Sequence, residues 1–217
     1  MATTKTVEKN NNYGMFVTVE GIEGVGKSTA IRYLQAYLEK KGIDVLVTRE
    51  PGGTEIAEAI RKLLLAHYNE PMTQDAELLL MFASRAQHIA QVIKPALAAR
   101  KFVLCDRFTD ASFAYQGAGR GMPEDYIASL EKWVQGGLKP ELTILLDAPA
   151  KLGAQRAKHR GIGADRIEIE QLQFFERARG CYLTRAKLEP DRFRVIDATQ
   201  SLGQVKTKLT EIIDTVL

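Results

Sequence analysis

The sequence predicts an α/β fold: three layers, with a five-stranded parallel sheet carrying helices on both faces. Three observations predict it. Five short apolar runs recur along the 217 residues with little polar alternation, as in strands buried on both faces of a parallel sheet. Helical periodicities fill the gaps, and strand alternating with helix implies right-handed crossovers. The first run leads directly into a glycine-rich loop and then a helix, the setting in which such loops bind phosphate.

The elements follow in order. Residues 1–14 are polar, with Asn10-Asn11-Asn12, and read as a disordered tail. The first strand is Met15–Glu20. Thr29 to Lys41 carries Ile31, Leu34 and Leu38 at helical spacing, and Gly42 stops it. Val45–Thr48 is the second strand. Ile56, Ile60, Leu63 and Leu64 repeat the helical pattern, and Thr73 to Ala99 is a long helix that Pro95 kinks or ends. Phe102–Cys105 and Leu142–Leu146 are the third and fourth strands. Gln171 to Leu188 is a helix, Phe193–Ile196 the last strand, and Leu202 to Leu217 the last helix. No internal repeat or linker divides residues 15–217, which read as one domain.

Composition narrows the function. Thirty Lys and Arg against 27 Asp and Glu leave a net charge of +3, spread along the chain, which argues against a nucleic-acid-coating protein. Cys105 and Cys181 are far apart and read as reduced thiols in a cytoplasmic setting. His67, His88 and His159 offer no zinc spacing with them. No apolar run reaches the length of a membrane span, and the N-terminus lacks a signal-peptide apolar region.

In an open parallel sheet, ligands bind beyond the carboxyl ends of the strands. Gly21-Ile22-Glu23-Gly24-Val25-Gly26-Lys27-Ser28 fits G-x-x-x-x-G-K-[ST]. Glycines let successive backbone N–H groups turn inward, and these donors join the helix N-terminus at Thr29 to cradle anions. Lys27 adds a cation for the β- and γ-phosphates, and the Ser28 hydroxyl can ligate Mg²⁺. Such a loop binds a nucleoside triphosphate. After the second strand, Pro51 with Gly52-Gly53 forces a turn that sets Arg49 and Glu50 at the ligand edge. After the third, Asp106 can join the Mg²⁺ shell beside Ser28, and Arg107 can fork onto a phosphate. Arg156, Arg160 and Arg166 surround a glycine-containing stretch that reads as a lid at about 156–168. Its closure would exclude water and bring positive charge to a transferring phosphoryl group.

Together these segments resemble the bacterial thymidylate kinases, nucleoside monophosphate kinases of the P-loop NTPase fold. The resemblance runs through Glu20–Thr29, Thr48–Thr54, Leu79–Gln87, Asp106–Gln116, Asp165–Glu168 and Ile196–Gln200. It implies transfer of the ATP γ-phosphoryl to dTMP with Mg²⁺, giving dTDP and ADP, and a homodimer. By the same resemblance Glu23 lies near the dTMP sugar and phosphate, and Arg61 and Arg107 hold that phosphate. Arg85 meets the thymine edge, Ser112 and Gln116 contact the base, and Tyr115 crowds the sugar where a ribose would carry its 2′-hydroxyl. Ala198, Thr199 and Gln200 lie where the family packs adenine. The phosphate loop has no arginine, so the charge for transfer would come from Arg156, Arg160 and Arg166. Two positions depart from the pattern. Met81 or Phe82 covers the base where relatives carry an aromatic residue, and Ala111 replaces a serine. The rival reading is a kinase for another nucleoside monophosphate.

Overall fold

The structure is a computed structural model describing residues 14–158 and 165–217. The expected disordered tail lies, apart from Gly14, outside the described residues, as does Arg160. The strands are β1 (Met15–Glu20), β2 (Val45–Arg49), β3 (Phe102–Asp106), β4 (Leu142–Asp147) and β5 (Phe193–Asp197). They form one parallel sheet in the order β2-β3-β1-β4-β5. β2 to β5 each run one residue past the apolar stretch that predicts them. The ladder continues through the polar residue, pairing Arg49 with Asp106 and Asp147 with Asp197. Backbone pairing ignores side-chain polarity, so charged groups are delivered in register along the carboxyl edge.

Nine helices of α geometry are present among the described residues: α1 (Lys27–Lys40), α2 (Glu55–Leu65), α3 (Gln74–His88), α4 (Lys94–Ala98), α5 (Thr109–Ser112), α6 (Glu124–Gln135), α7 (Ala150–Lys158), α8 (Leu172–Leu188) and α9 (Leu202–Asp214). α1 begins within the glycine loop, two residues before the expected start, because Gly26 takes a left-handed φ of 100° and serves as its N-cap. α2 and α3 open on Thr54 and Thr73, whose hydroxyls accept from the N–H groups of Ala57 and Ala76. Pro95 does not end the long helix. A wide π turn over Ile89–Ile93 precedes α4, with the Lys94 N–H reaching back to Ile89 O. The proline falls in the first turn of α4, where its missing N–H costs little. A second wide turn, Phe113–Gly119, follows α5. α9 stops at Asp214 rather than Leu217 and opens on a capping box at Ser201 and Gln204. α5, α6 and α7 were not among the expected helices.

The central strands β1, β3 and β4 are buried on both faces, while the edge strands β2 and β5 stay partly exposed, with Val47 and Val195 at the surface. Val17 and Val19 of β1 pack with Leu34 and Leu38 of α1, and with Ala178 and Tyr182 of α8. Phe16 points the other way into Ile89, Ile93 and Phe108, meeting the Phe108 ring edge-on at 4.9 Å. Beneath this layer Asp110 is 2% exposed and accepts from Arg185 Nε at 2.6 Å and from Arg192 Nη1 at 2.7 Å. Those bonds tie α5 to α8 and to the loop entering β5. Asp110→Ala removes the buried carboxylate these two guanidinium groups share, while Arg192 keeps Glu189 and Thr143, and should cost about 3 kcal/mol. Thermal melts should show a loss of about ten degrees, with Asp110→Asn losing less because it still accepts a hydrogen bond.

Candidate active site

The strand order reverses about β1, and a cleft of about 530 Å³ opens there at the carboxyl edge. Gly24 takes φ 73° and approaches α7 so closely that a Cβ would sit 2.0 Å from Gly153 O; a Cβ on Gly153 would sit 2.4 Å from Glu23 O. Paired glycines thus let the loop lie flat on α7. Lys27 Nζ donates to the carbonyls of Gly21 (3.0 Å) and Ile22 (2.9 Å), closing the loop on itself. Burial, together with the neighbouring Arg107 charge, lowers the Lys27 ammonium to about 8. Glu23, Gly24, Gly26, Lys27, Ser28 and Thr29 line the cleft. Gly21, Ile22 and Val25 do not: Ile22 and Val25 are core residues, and Gly21 abuts Leu146 O.

Facing the loop, Arg107 takes a left-handed φ of 70°, unusual for a side chain of this size. Its N–H donates to Val19 O at 3.1 Å, and the Cys105 thiol donates to its carbonyl at 3.0 Å. The next N–H, of Phe108, donates to Glu20 Oε1 at 2.6 Å. Non-glycine strain held by such a frame is characteristic of functional positions. The Arg107 guanidinium donates to Glu23 Oε1 (2.8 Å) and Tyr182 OH (3.2 Å), and lies 4.6 Å over the Tyr115 ring. Tyr115 OH donates to the other Glu23 oxygen at 2.8 Å. Glu20 is fully buried beneath this group. Desolvation, with Asp110 nearby, pushes its carboxyl up to about 8 although Tyr182 OH donates to it at 2.7 Å. Asp106 and Ser28 line the cleft as well. Asp106 Oδ1 is buried with no hydrogen-bond partner among the described residues.

A second polar group forms the inner wall. Arg85 is 3% exposed and donates from Nε to Glu50 (2.7 Å), from Nη1 to Ser112 Oγ (3.1 Å) and from Nη2 to Phe108 O (3.2 Å). Glu50 is thus turned into the wall, while Arg49 pairs with Glu58 at the surface. Its second oxygen meets His88 Nδ1 at 3.0 Å. Gln116 Nε2 donates to Glu77 Oε1 at 2.8 Å. Arg61 lines the cleft with Nη1 on Pro51 O at 3.0 Å.

Several expectations need correction. Of the pair offered for covering a base, Met81 lines the cleft. Phe82 is 1% exposed in the core, its ring 4.6 Å under the Arg85 guanidinium carbon. Helix phase decides this, since adjacent side chains point about 100° apart. Arg166 is not among the cleft residues. It donates to Glu77 Oε2 at 2.6 Å and to Leu64 O at 2.9 Å. Arg156 does line the cleft, from the last turn of α7, and donates to Ala198 O at 2.8 Å. Ala198, Thr199 and Gln200 lie outside the cleft lining, beyond β5, and join it through that bond. The sequence reading assigns no role to Glu20, Glu77 or Tyr182. Each lies within a strand or helix pattern where a polar residue reads as a solvated face.

A phosphate loop facing a second cationic wall across one cleft defines a P-loop NTPase-fold protein of the nucleotide-kinase class. The family model for thymidylate kinase matches residues 19–209. A thymidylate kinase of Pseudomonas syringae pv. tomato is 54% identical over 94% of this chain and 97% of its own length. One of Pseudomonas putida (strain GB-1) is 54% identical over 92% and 95%. The crystal structure of thymidylate kinase from Ehrlichia chaffeensis superposes with a TM-score of 0.74 at 32% identity, covering 92% of this chain and 98% of that one. The chain belongs to the thymidylate kinase family.

Proposed function

We propose that this protein transfers the γ-phosphoryl group of ATP to dTMP, giving dTDP and ADP, in the supply of dTTP. The observation that carries the reading is the convergence of two unlike walls on one cleft: Lys27 and the loop amides on one side, Arg107, Arg85, Tyr115 and Gln116 on the other. Lys27 and the amides hold the donor phosphates, while Arg107 and Arg61 hold the acceptor phosphate in line with them. Glu23 orients Arg107 and Tyr115, and Tyr115 limits the space at the sugar. The acceptor is itself an anion, so no general base is needed, and positioning with charge neutralisation supplies the catalysis. Arg156 brings charge from α7, and residues near 156–168 act as the lid.

The residues fit Mg²⁺. Among the described residues no three His, Cys, Asp or Glu side chains cluster to hold a metal alone. A cation completed by phosphate oxygens needs only one or two protein ligands, and Ser28 with the unpartnered carboxylate oxygen of Asp106 supplies them. When bound, the ion would neutralise negative charge on the nucleotide phosphates.

A homodimer accounts for the exposed apolar side chains of three neighbouring helices: Ile56 and Leu63 on α2, Leu79 on α3, Tyr126 and Trp133 on α6, the last 80% exposed. Residues seven apart share a helix face, so each pair is a stripe that a second copy would cover. Leu63→Glu should move the sedimentation coefficient from dimer to monomer; an unchanged value would place the interface elsewhere. No helix of the described residues is long and apolar enough to cross a membrane.

A coupled ADP-release assay with MgATP and a panel of monophosphates tests the function. ADP formation should depend on dTMP and yield dTDP. Formation without an acceptor, or only with another monophosphate, would overturn the assignment.

A further inference from the structure

We propose that Glu77 is a positioning residue that sets base specificity by fixing which end of the Gln116 side-chain amide faces the acceptor. The proposal rests on the reading above, in which a pyrimidine lies against Arg85 and Gln116.

A glutamine amide is donor at one end and acceptor at the other, and alone it selects nothing because it can turn over. Here it has a reason not to turn. Gln116 is 2% exposed, and its Nε2 donates to Glu77 Oε1 at 2.8 Å. Glu77 is also 2% exposed; Arg120 Nε shares Oε1 at 3.3 Å, and the other oxygen receives Arg166 Nη2 at 2.6 Å and Arg120 Nη2 at 3.2 Å. Burial works against its charged form, but Gln116, Arg120 and Arg166 outweigh it and hold the carboxyl below its ordinary range. An ionised carboxylate only accepts, so turning the amide would set Gln116 Oε1 against Glu77 Oε1, two buried acceptors with no proton between them. The Gln116 carbonyl is left for the cleft.

Arg85 supplies the complementary half. A guanidinium only donates, and Glu50, Ser112 and Phe108 O hold it in place without Glu77. The wall then presents a donor from Arg85 beside an acceptor from Gln116. Thymine offers the matching pair, O4 as acceptor and N3–H as donor. Cytosine reverses both, with a 4-amino donor and an unprotonated N3. A reversed Gln116 would give a donor–donor wall and forfeit the N3 half of that discrimination. Glu77 also holds Arg166, so the residue that sets the amide is tied to an arginine of the expected lid.

The test compares kcat/KM for dTMP and for 5-methyl-dCMP, which keeps the methyl group and changes only the 4-substituent and N3. In Glu77→Gln, Arg166 and Arg120 hold the oxygen of residue 77, so its amide nitrogen faces Gln116 and the reversed Gln116 amide becomes the satisfied one. The dTMP preference should fall about tenfold. Glu77→Asp keeps the charge for Arg120 and Arg166 while withdrawing the oxygens by one methylene; its preference should also fall, with melting temperature nearly unchanged. In a Gln116→Leu background the preference should already be reduced, and Glu77→Gln should reduce it no further. A structural role alone would lower kcat/KM for both acceptors together. A preference retained within twofold in folded Glu77→Gln and Glu77→Asp overturns this proposal and leaves the acceptor reading intact. A wild-type protein without preference for dTMP overturns the acceptor reading itself, and this proposal with it.

Discussion

Arg107→Ala should lower kcat/KM for dTMP by about two to three orders of magnitude, the cost of removing a preorganised donor aimed at developing charge. The reason lies in how much structure is devoted to this residue. Its backbone is held at φ 70° by bonds to Val19 O and from the Cys105 thiol, and by Glu20 accepting from the next N–H. Its guanidinium is aligned by Glu23, Tyr182 and the Tyr115 ring. On the proposed function this frame presents two N–H groups to the acceptor phosphate. Arg107→Lys keeps the charge but loses the fork and the stacking on Tyr115, so it should recover about tenfold at most. Steady-state kinetics with varied dTMP, beside thermal melts, check both variants. An Arg107→Ala protein that melts normally and keeps kcat/KM within threefold would remove Arg107 from the acceptor site.

The second large effect concerns Lys27. Lys27→Ala should reduce kcat by about a thousandfold, because the ammonium neutralises charge on the phosphates while transfer proceeds. The wild-type residue should also make nucleotide binding depend on pH. Its folded value is depressed to about 8, so the free cleft loses this charge as pH rises through 8. Bound phosphates favour the protonated form, and binding above pH 8 therefore takes up a proton. The Kd for MgATP should rise about tenfold between pH 7 and pH 9. The stability contribution runs in the opposite direction. A lysine depressed below its unfolded value of 10.5 favours the folded state above that value, and this is lost as pH falls through 8. Calorimetry across that range, in buffers of different ionisation enthalpy, reads both the affinity and the proton. A Kd that is flat from pH 7 to 9 would show that Lys27 keeps its proton in the free protein. In Lys27→Ala the pH dependence should vanish.

Much of this was legible in the chain. Buried parallel strands must be apolar on both faces, so runs such as Leu142–Leu146 announce themselves without any knowledge of their partners. Gly24, Gly26, Lys27 and Ser28 are equally legible because one continuous segment performs the whole task. α6 was passed over although Pro123 precedes it, Ile127, Leu130 and Val134 share a face, and Gly136 ends it in a left-handed conformation. Those signals were present but weak beside the Asp106–Gln116 segment. The two wide turns carried no signal at all. Phe113–Gly119 widens so that Arg120 N–H reaches Tyr115 O, and it carries Tyr115 and Gln116, two residues of the cleft wall.

By itself the sequence determined the α/β class, the strand–loop–helix that cradles phosphate, and the residue types gathered at the strand ends. Those depend on local spacing and on which residues avoid water. The tertiary structure decided which charges face the cleft. Glu50 turns inward to Arg85 and His88 rather than outward to Arg49. Met81 rather than Phe82 reaches the cleft. Arg166 goes to Glu77 while Arg156 stays at the cleft. Each of these outcomes is a choice among partners separated by tens of residues. The packing of α3 against α2 and α6, with His88 meeting Thr48 Oγ1 of β2, brings the partners of Glu50, Arg85 and Glu77 within hydrogen-bonding distance.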